Sequence, residues 1–276
     1  MRILSSAALP GVARRALSTA SIGWSSSITF ATLGTAITTL VLVPGLNVLF
    51  TVLLGADLAA NDTVRIGCAS ALIATLSSVA AGIVARVATD RWIGVFEYVC
   101  TARPVDAGYW LGAAAVPALL ASVTGLSNVG IVWLLSLTAP STGAASGLLI
   151  GAIALMPVAV LGGVCLGIFA AGLGLYLSDP YTGSNFLSII LPVSAGVIVP
   201  VSTYPGWLAW LCSWVPGSRL VQVLDASSGI ANGTAPEFFA LLATDTALAV
   251  LYAAIGLGLT VLAARRIRAG ARASLL

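Results

Sequence analysis

The stretch GLLIGAIALMPVAVLGGVCLGIFAAGLGL, residues 147–175, contains no charged residue. It exceeds the roughly 20 apolar residues that an α-helix needs to cross the hydrocarbon core of a bilayer. Comparable runs recur along the 276 residues, of which 59% are apolar and only 8% charged, with a mean hydropathy of +1.07. Soluble domains carry about 25% charged residues. The composition therefore excludes an ordinary soluble domain, and it predicts an all-α integral membrane protein with several spans.

Polar and charged turns divide the chain into six predicted transmembrane helices. We expect residues 10–33 to form an amphipathic elbow helix on the inner membrane surface, and Pro44 to kink the first span or mark its start. Residues 1–276 are expected to form a single transmembrane domain. The predicted spans lie at about 36–56, 64–87, 109–137, 147–175, 185–201 and 238–263.

The basic residues are distributed unevenly over the predicted loops. All 12 are arginines, and a cytoplasmic N-terminus places only Arg65 and Arg219 on the outer side. Because positive residues accumulate in cytoplasmic loops, both termini are expected to be cytoplasmic, in a multi-pass protein. The ten arginines on the inner side are then Arg2, Arg14, Arg15, Arg86, Arg91, Arg103, Arg265, Arg266, Arg268 and Arg272.

The chain contains neither lysine nor histidine, and this absence excludes several kinds of catalytic and nucleotide-binding site. Without lysine the chain has no GxxxxGK[ST] phosphate loop, and without histidine it has no Ser/His/Asp triad and no HExxH zinc site. The cysteines Cys68, Cys100, Cys165 and Cys212 form no CxxC pair, and only Cys212 is predicted to face the outer compartment, so we expect no outer disulfide within the chain and no metal site. We therefore predict that this chain is not itself an enzyme, and that a partner, an ion gradient or the lipid supplies its energy.

The loop after the second predicted span, residues 86–110, is the most informative segment. Trp92, Ile93, Phe96 and Val99 lie at positions i, i+1, i+4 and i+7, which predicts one apolar face of a short helix. Asp90 is its predicted N-cap, and Pro104 is predicted to end it. Such a helix either rests on the lipid surface or docks into a partner. The alternative is an interfacial loop whose arginines only fix the topology.

Two further features lie toward the C-terminus. Trp207, Trp210 and Trp214, within a loop predicted at 203–236, recur at i, i+3 and i+7, which predicts a short helix with an aromatic face at the outer interface. That face either anchors the protein or forms an outer gate. Asp245 is the single acid inside a predicted span, where it is either a proton site or a solvated or capped acid.

The loop after the second predicted span and the segment that contains the tryptophans both resemble segments of a known family. The pattern Asp90-Arg91, Gly94-Val95-Phe96-Glu97 and Thr101-Ala102-Arg103-Pro104-Val105 resembles the cytoplasmic coupling segment of type-2 ABC exporter permeases, with one residue of difference in spacing. The later pattern resembles the stretch after the fifth span of that family. It comprises Ile198-Val199-Pro200-Val201, Tyr204-Pro205-Gly206-Trp207-Leu208 and Val215-Pro216-Gly217.

The resemblance implies roles for these residues. It implies a coupling helix within residues 91–104 and an outer gate on a short re-entrant helical segment between helices 5 and 6. The implied ATPase-coupling residues are Arg91, Trp92, Gly94, Phe96, Glu97, Val99 and Pro104. The implied outer-gate residues are Pro200, Tyr204, Pro205, Trp207, Trp210 and Trp214.

The same resemblance implies a transport function and partners. The expected protein is the membrane subunit of an exporter in the bacterial cytoplasmic membrane, moving a hydrophobic or amphipathic substrate outward. Its expected partners are two copies of a separate ABC ATPase subunit, which hold ATP and Mg, a second permease chain, identical or paralogous, and the lipid membrane. Neither a cofactor in this chain nor a nucleic-acid partner is expected.

Two other functions remain open from the sequence. One is an ion-coupled secondary carrier with Asp245 as the coupling acid. The other is an intramembrane lipid-modifying enzyme, although Asp90, Glu97 and Asp106 are spaced unlike a DDxxD-type site. In the fourth span, Gly163 and Gly167 form a small-xxx-small pair that permits close helix packing, within the chain or between chains.

Overall fold

The computed structural model describes residues 11–27, 32–57, 62–102, 107–137, 144–227 and 235–273. These residues form eleven α-helices and no strand, so the predicted all-α class is confirmed. A π-helical turn at Thr38–Leu42 joins α2 to α3, and a 3₁₀ turn at Val201–Thr203 precedes α9. The helices are α1 Gly11–Ser25, α2 Leu33–Ile37, α3 Val43–Asp57, α4 Thr63–Trp92, α5 Val95–Ala102, α6 Ala107–Ser136, α7 Ala144–Gly174, α8 Thr182–Ser194, α9 Gly206–Cys212, α10 Leu220–Ser227 and α11 Ala235–Ala273.

Five helical segments in the described part of the chain are long and apolar enough to cross a membrane, which indicates a membrane protein. The predicted fifth span at 185–201 is not among them. Its helix, α8, has 13 residues and stops at Ser194, because Gly196 turns the backbone at a φ of +66°. The five segments are Leu33–Asp57, Thr63–Trp92, Ala107–Ser136, Ala145–Gly174 and Glu237–Gly270.

Helix α4 is the centre of the bundle. It packs most extensively against α7 and α6, and its side chains Leu72, Leu76 and Ile83 are fully buried. The segment α2–α3 lies at the periphery, where Val48 and Val52 contribute its buried apolar side chains. Helix α1 lies within the predicted elbow 10–33, of which residues 28–31 are outside the described part, and it packs along α6.

Glycines allow α7 to approach its neighbours closely. A methyl group at Gly163 would lie 2.5 Å from the carbonyl oxygen of Leu76, and one at Gly167 would lie 3.0 Å from the Cα of Ala80. The small-xxx-small pair is therefore occupied by α4 of the same chain. A methyl group at Gly172 of α7 would likewise lie 2.5 Å from the carbonyl oxygen of Gly256 in α11.

The first span carries a π-helical turn just before Pro44, where the sequence predicts a kink or the start of the span. Proline has no N–H to donate and disrupts the preceding turn of a helix. Here the turn widens to the π form, in which the N–H of Val43 donates to the carbonyl of Thr38. The hydroxyl of Ser127 in α6 also donates to the carbonyl of Leu40 at 3.4 Å, so α6 contacts this π-helical turn.

Long-range contacts define two ends of the bundle. At the α5 end, the C-terminal ends of α4, α7 and α11 meet the start of α6. The contacts there are those of Arg91 with Gly174, Arg268 with Cys100, and Tyr109 with Asp90. At the α10 end, Arg65 near the start of α4 pairs with Asp225 of α10. The described residues among those selected from the sequence lie at these two ends.

Candidate functional site

The α4–α5 corner replaces the single helix predicted after the second span. Helix α4 continues to Trp92, and Gly94 makes the turn into α5 with a φ of +78°. The prediction that Asp90 caps the short helix is therefore wrong. Asp90 lies in the last turns of α4, where it is buried, accepts a hydrogen bond from the Tyr109 hydroxyl at 3.1 Å and pairs with Arg86 at 3.3 Å.

The turn also divides the predicted apolar face. Phe96 is 1% exposed and its ring packs against that of Tyr109, with centroids 6.4 Å apart. Trp92 and Ile93 are 68% and 69% exposed, while Val99 is half-buried. The helical spacing of 100° per residue applies only within one helix. Because the turn at Gly94 lies between Trp92 and Phe96, their spacing in the sequence does not place them on one face. Pro104, the predicted end of the segment, lies outside the described residues.

Two arginines hold the corner against the bundle. Nη1 of Arg91 donates to the carbonyl oxygens of Gly174 and Leu177 at 2.7 and 2.8 Å, at the end of α7. Nε of Arg268 donates to the carbonyl oxygen of Cys100 at 2.6 Å and so joins α11 to α5. Arginines at helix C-termini satisfy carbonyls that lack a partner within the helix. Arg91 therefore has an anchoring role, and Arg268 has a matching one that the sequence analysis missed.

The opposite side of the corner is exposed. Trp92, Ile93 and Tyr98 present large apolar or aromatic surfaces, and Glu97 is exposed beside them. Trp92 also contacts the ring of Tyr181, with centroids 5.5 Å apart, so its orientation is fixed by the loop after α7. The corner thus combines a fixed inner side with an exposed outer side, which we call the corner face: Trp92, Ile93, Glu97 and Tyr98.

Cys100, on the inner side of α5, gives a chemical test of this arrangement. Burial raises the pKa of the Cys100 thiol to about 11, although the nearby Arg268 opposes the shift. Roughly one thiol in ten thousand is then ionised at neutral pH, and the thiolate is the reactive form. In a chain whose other cysteines are alanine, we expect negligible maleimide labelling of Cys100 at neutral pH, with labelling increasing as the pH rises toward that pKa.

The matched control adds an exposed cysteine, Trp92→Cys, to a chain in which Cys100 is also alanine. Because position 92 is exposed, we expect its labelling to be complete under the same neutral conditions. Equal labelling rates at positions 92 and 100 would contradict the buried position of the inner side of α5.

The predicted outer-gate residues lie between α8 and α10. Pro200 and Pro205 are the N-cap residues of the 3₁₀ turn and of α9, so the missing N–H of proline removes no hydrogen bond from either helix. The hydroxyl of Tyr204 donates to the carbonyl of Val193 at 2.9 Å and so holds this segment to α8. Trp207 and Trp210 of α9 and Trp214 of the following turn are exposed, as the predicted aromatic face requires.

An ion pair that the sequence analysis missed fastens α10 to α4. Nε and Nη2 of Arg65 donate to the two carboxylate oxygens of Asp225 at 2.7 and 2.8 Å, and Nη1 donates to the carbonyl of Val197 at 3.4 Å. Arg65 is 8% exposed. This two-point geometry is the strongest that arginine forms with a carboxylate. The sequence could have indicated this pair, because Arg65 and Asp225 carry opposite charges and both lie on the predicted outer side.

Asp245 has structural partners. It is 5% exposed, and both of its carboxylate oxygens accept hydrogen bonds from the N–H of Gly217, at 2.9 and 3.0 Å. Gly217 has a φ of +90°, which places its N–H toward α11. The carboxylate therefore fixes the turn between α9 and α10. Arg219, in the same turn, is half-buried.

No protein-family model matches this chain, and no curated protein sequence matches it. Within the described ranges, no group of three or more Cys, Asp or Glu residues is placed to hold a metal ion.

Proposed function

We propose that this chain is the permease subunit of an ABC exporter and that a separate ATPase subunit docks on the corner face. The observation that carries the proposal is the two-sided corner. Trp92 and Ile93 are exposed, while Phe96 and Arg91 fasten the same corner to α6 and α7. A movement imposed on the exposed side would be transmitted to the spans by these contacts. The substrate class that we propose is hydrophobic or amphipathic, moving outward.

We propose that α8 and the turn after it complete a sixth crossing. The backbone of Pro180, just before α8, packs against Gly174 at the α5 end. The carbonyl of Val197, just after α8, accepts a hydrogen bond from Arg65 at the α10 end. Six crossings place both termini on one side, and the arginine distribution assigns that side to the cytoplasm of a bacterial cell. Helix α1 would serve as the elbow.

We propose that α9 and α10 form the re-entrant outer gate. Gly217, between them, packs against Leu76, which lies eleven residues along α4 from Arg65. Eleven residues of helix correspond to about 16 Å, so the turn penetrates well into the bundle. Asp225 fastens α10 to Arg65 of α4, and Asp245 of α11 fastens the turn between α9 and α10.

The proposed assembly contains two permease chains and two ATPase subunits, with ATP and Mg on the latter. The peripheral α2–α3 segment leaves a long apolar face exposed, which suits lipid or a second permease chain. The ion-coupled carrier with Asp245 is the second candidate. We favour export because the two hydrogen bonds from Gly217 give Asp245 a structural reason to be buried.

The experiment is a pull-down of the tagged chain in mild detergent, with mass spectrometry and an ATPase assay. We expect the wild type to recover a P-loop ATPase, and Trp92→Ala to lower its recovery about tenfold or more, as for a central interface residue. Trp207→Ala is the matched control, because Trp207 is 66% exposed, close to the 68% of Trp92, but lies at the other end. We expect it to retain the ATPase.

Two results would count against the proposal. Recovery of no nucleotide-binding protein under several mild detergents would remove its basis, and equal losses in both tryptophan variants would indicate a nonspecific effect. Phe96→Asp is unsuitable as a docking variant, because Phe96 is buried and its loss would disturb the fold.

A further inference from the structure

A cleft of about 330 Å³ lies at the α5 end, on the side of α5 that faces α11. Two arginines, Arg91 and Arg266, line it together with Tyr176. Apolar side chains, including Leu175 and Ile267, complete the walls, and Glu97 also lines the cleft. The three charged residues give the cleft a net charge of +1.

The cleft lies where apolar spans end. Helix α7 ends at Gly174, directly before Leu175 and Tyr176, and the apolar part of α11 gives way to Arg265 and Arg266. In a bilayer, such a change from apolar to basic residues occurs at headgroup depth. A cleft lined by apolar residues and two arginines therefore lies at the depth that lipid phosphates occupy.

Contacts within the chain orient both guanidinium groups, although the Arg266 side chain itself is exposed. Arg91 is fixed by its hydrogen bonds to the carbonyls of Gly174 and Leu177. The guanidinium carbon of Arg266 lies 5.2 Å from the centroid of the Tyr176 ring, a cation–π arrangement, and the Tyr176 hydroxyl donates to the carbonyl of Leu259 at 3.0 Å. A fixed pair of guanidinium groups suits a phosphate, whose oxygens accept hydrogen bonds in the plane of each group.

We propose that this cleft binds the phosphate of a glycerophospholipid from the adjacent leaflet. The net charge of +1 complements the single negative charge of a phosphodiester, and the apolar wall suits the upper part of an acyl chain. A bound lipid would bridge α4, α5, the segment that follows α7, and α11, which meet at the α4–α5 corner. The proposal does not depend on transport or on an ATPase partner.

Native mass spectrometry of the purified full chain tests the site, with phosphatidylglycerol as the lipid probe and glycerol 3-phosphate as the soluble phosphate. We expect the wild type to retain phosphatidylglycerol and Arg266→Gln to retain about fivefold less than Arg265→Gln. Arg265 is the matched control, because it is exposed, adjacent in sequence and outside the cleft lining. Both variants remove one charge from the same turn of α11.

Three results would overturn the proposal. Equal losses in the two variants would mean general attraction of anionic lipid to a basic surface. Retention of glycerol 3-phosphate at the same concentration as the lipid would reassign the cleft to a soluble phosphate. Unchanged lipid retention in Arg266→Gln, with loss of a co-purified protein, would reassign it to a protein partner. Tyr176→Leu gives a second variant, which we expect to weaken lipid retention by releasing Arg266.

Discussion

Replacing Asp225 with asparagine is expected to lower the free energy of unfolding by about 3 kcal/mol, because it leaves the Arg65 guanidinium buried without its carboxylate. Arg65 is 8% exposed and donates to both oxygens of Asp225, so water cannot readily take the place of the lost partner. The measurement is denaturation in mixed micelles, followed by loss of helical circular dichroism.

Asp57→Asn is the matched control. Asp57 is the last residue of α3 and is exposed, so removing its charge at the same end of the bundle should change stability little. Replacing both members of the pair, Arg65→Met with Asp225→Leu, should recover most of the loss, since no unpaired charge then remains buried. Equal effects of Asp225→Asn and Asp57→Asn would show that the pair contributes nothing specific.

The second large effect is expected at Gly256. A methyl group there would lie 2.5 Å from the Cα of Phe169 and 2.6 Å from the carbonyl oxygen of Ile168. Both are backbone atoms of α7, so the two helices would have to separate. We expect Gly256→Ala to destabilise the bundle by about 3 kcal/mol, near the upper part of the range for overpacking.

Gly258 gives an internal control in the same helix. A methyl group at Gly258 would meet no atom within 4 Å. Because alanine favours a helix over glycine by up to about 1 kcal/mol, Gly258→Ala should leave stability unchanged or raise it slightly. The two variants are compared by the same denaturation experiment, and a decrease of similar size in both would argue against close packing of α7 on α11.

The fold class and most span positions could be predicted because they depend on local composition. The run at 147–175 and the helix Ala144–Gly174 nearly coincide, since no turn residue competes with an uninterrupted apolar stretch. The segment at 185–201 was also apolar, yet its helix ends at Ser194. Composition gave the hydropathy of that segment but not the conformation of Gly196, which depends on packing around the turn.

The candidate site was predicted less completely, because side-chain direction depends on tertiary contacts. Phe96 was expected on the same face as Trp92, but a turn at Gly94 directs it into the bundle. Arg91 was expected to contact a partner, but the end of α7 lies within its reach and offers two carbonyl oxygens. Neither result follows from spacing along one helix.

The Arg65–Asp225 pair can form only late in the biosynthesis of the chain. Its members are 160 positions apart in the sequence. At about 5–20 residues per second, roughly 8 to 32 s pass between the synthesis of Arg65 and that of Asp225. During that interval the guanidinium must find its hydrogen bonds in water or lipid headgroups. Arg65 of α4 therefore acquires its carboxylate partner only after Asp225 has emerged from the ribosome.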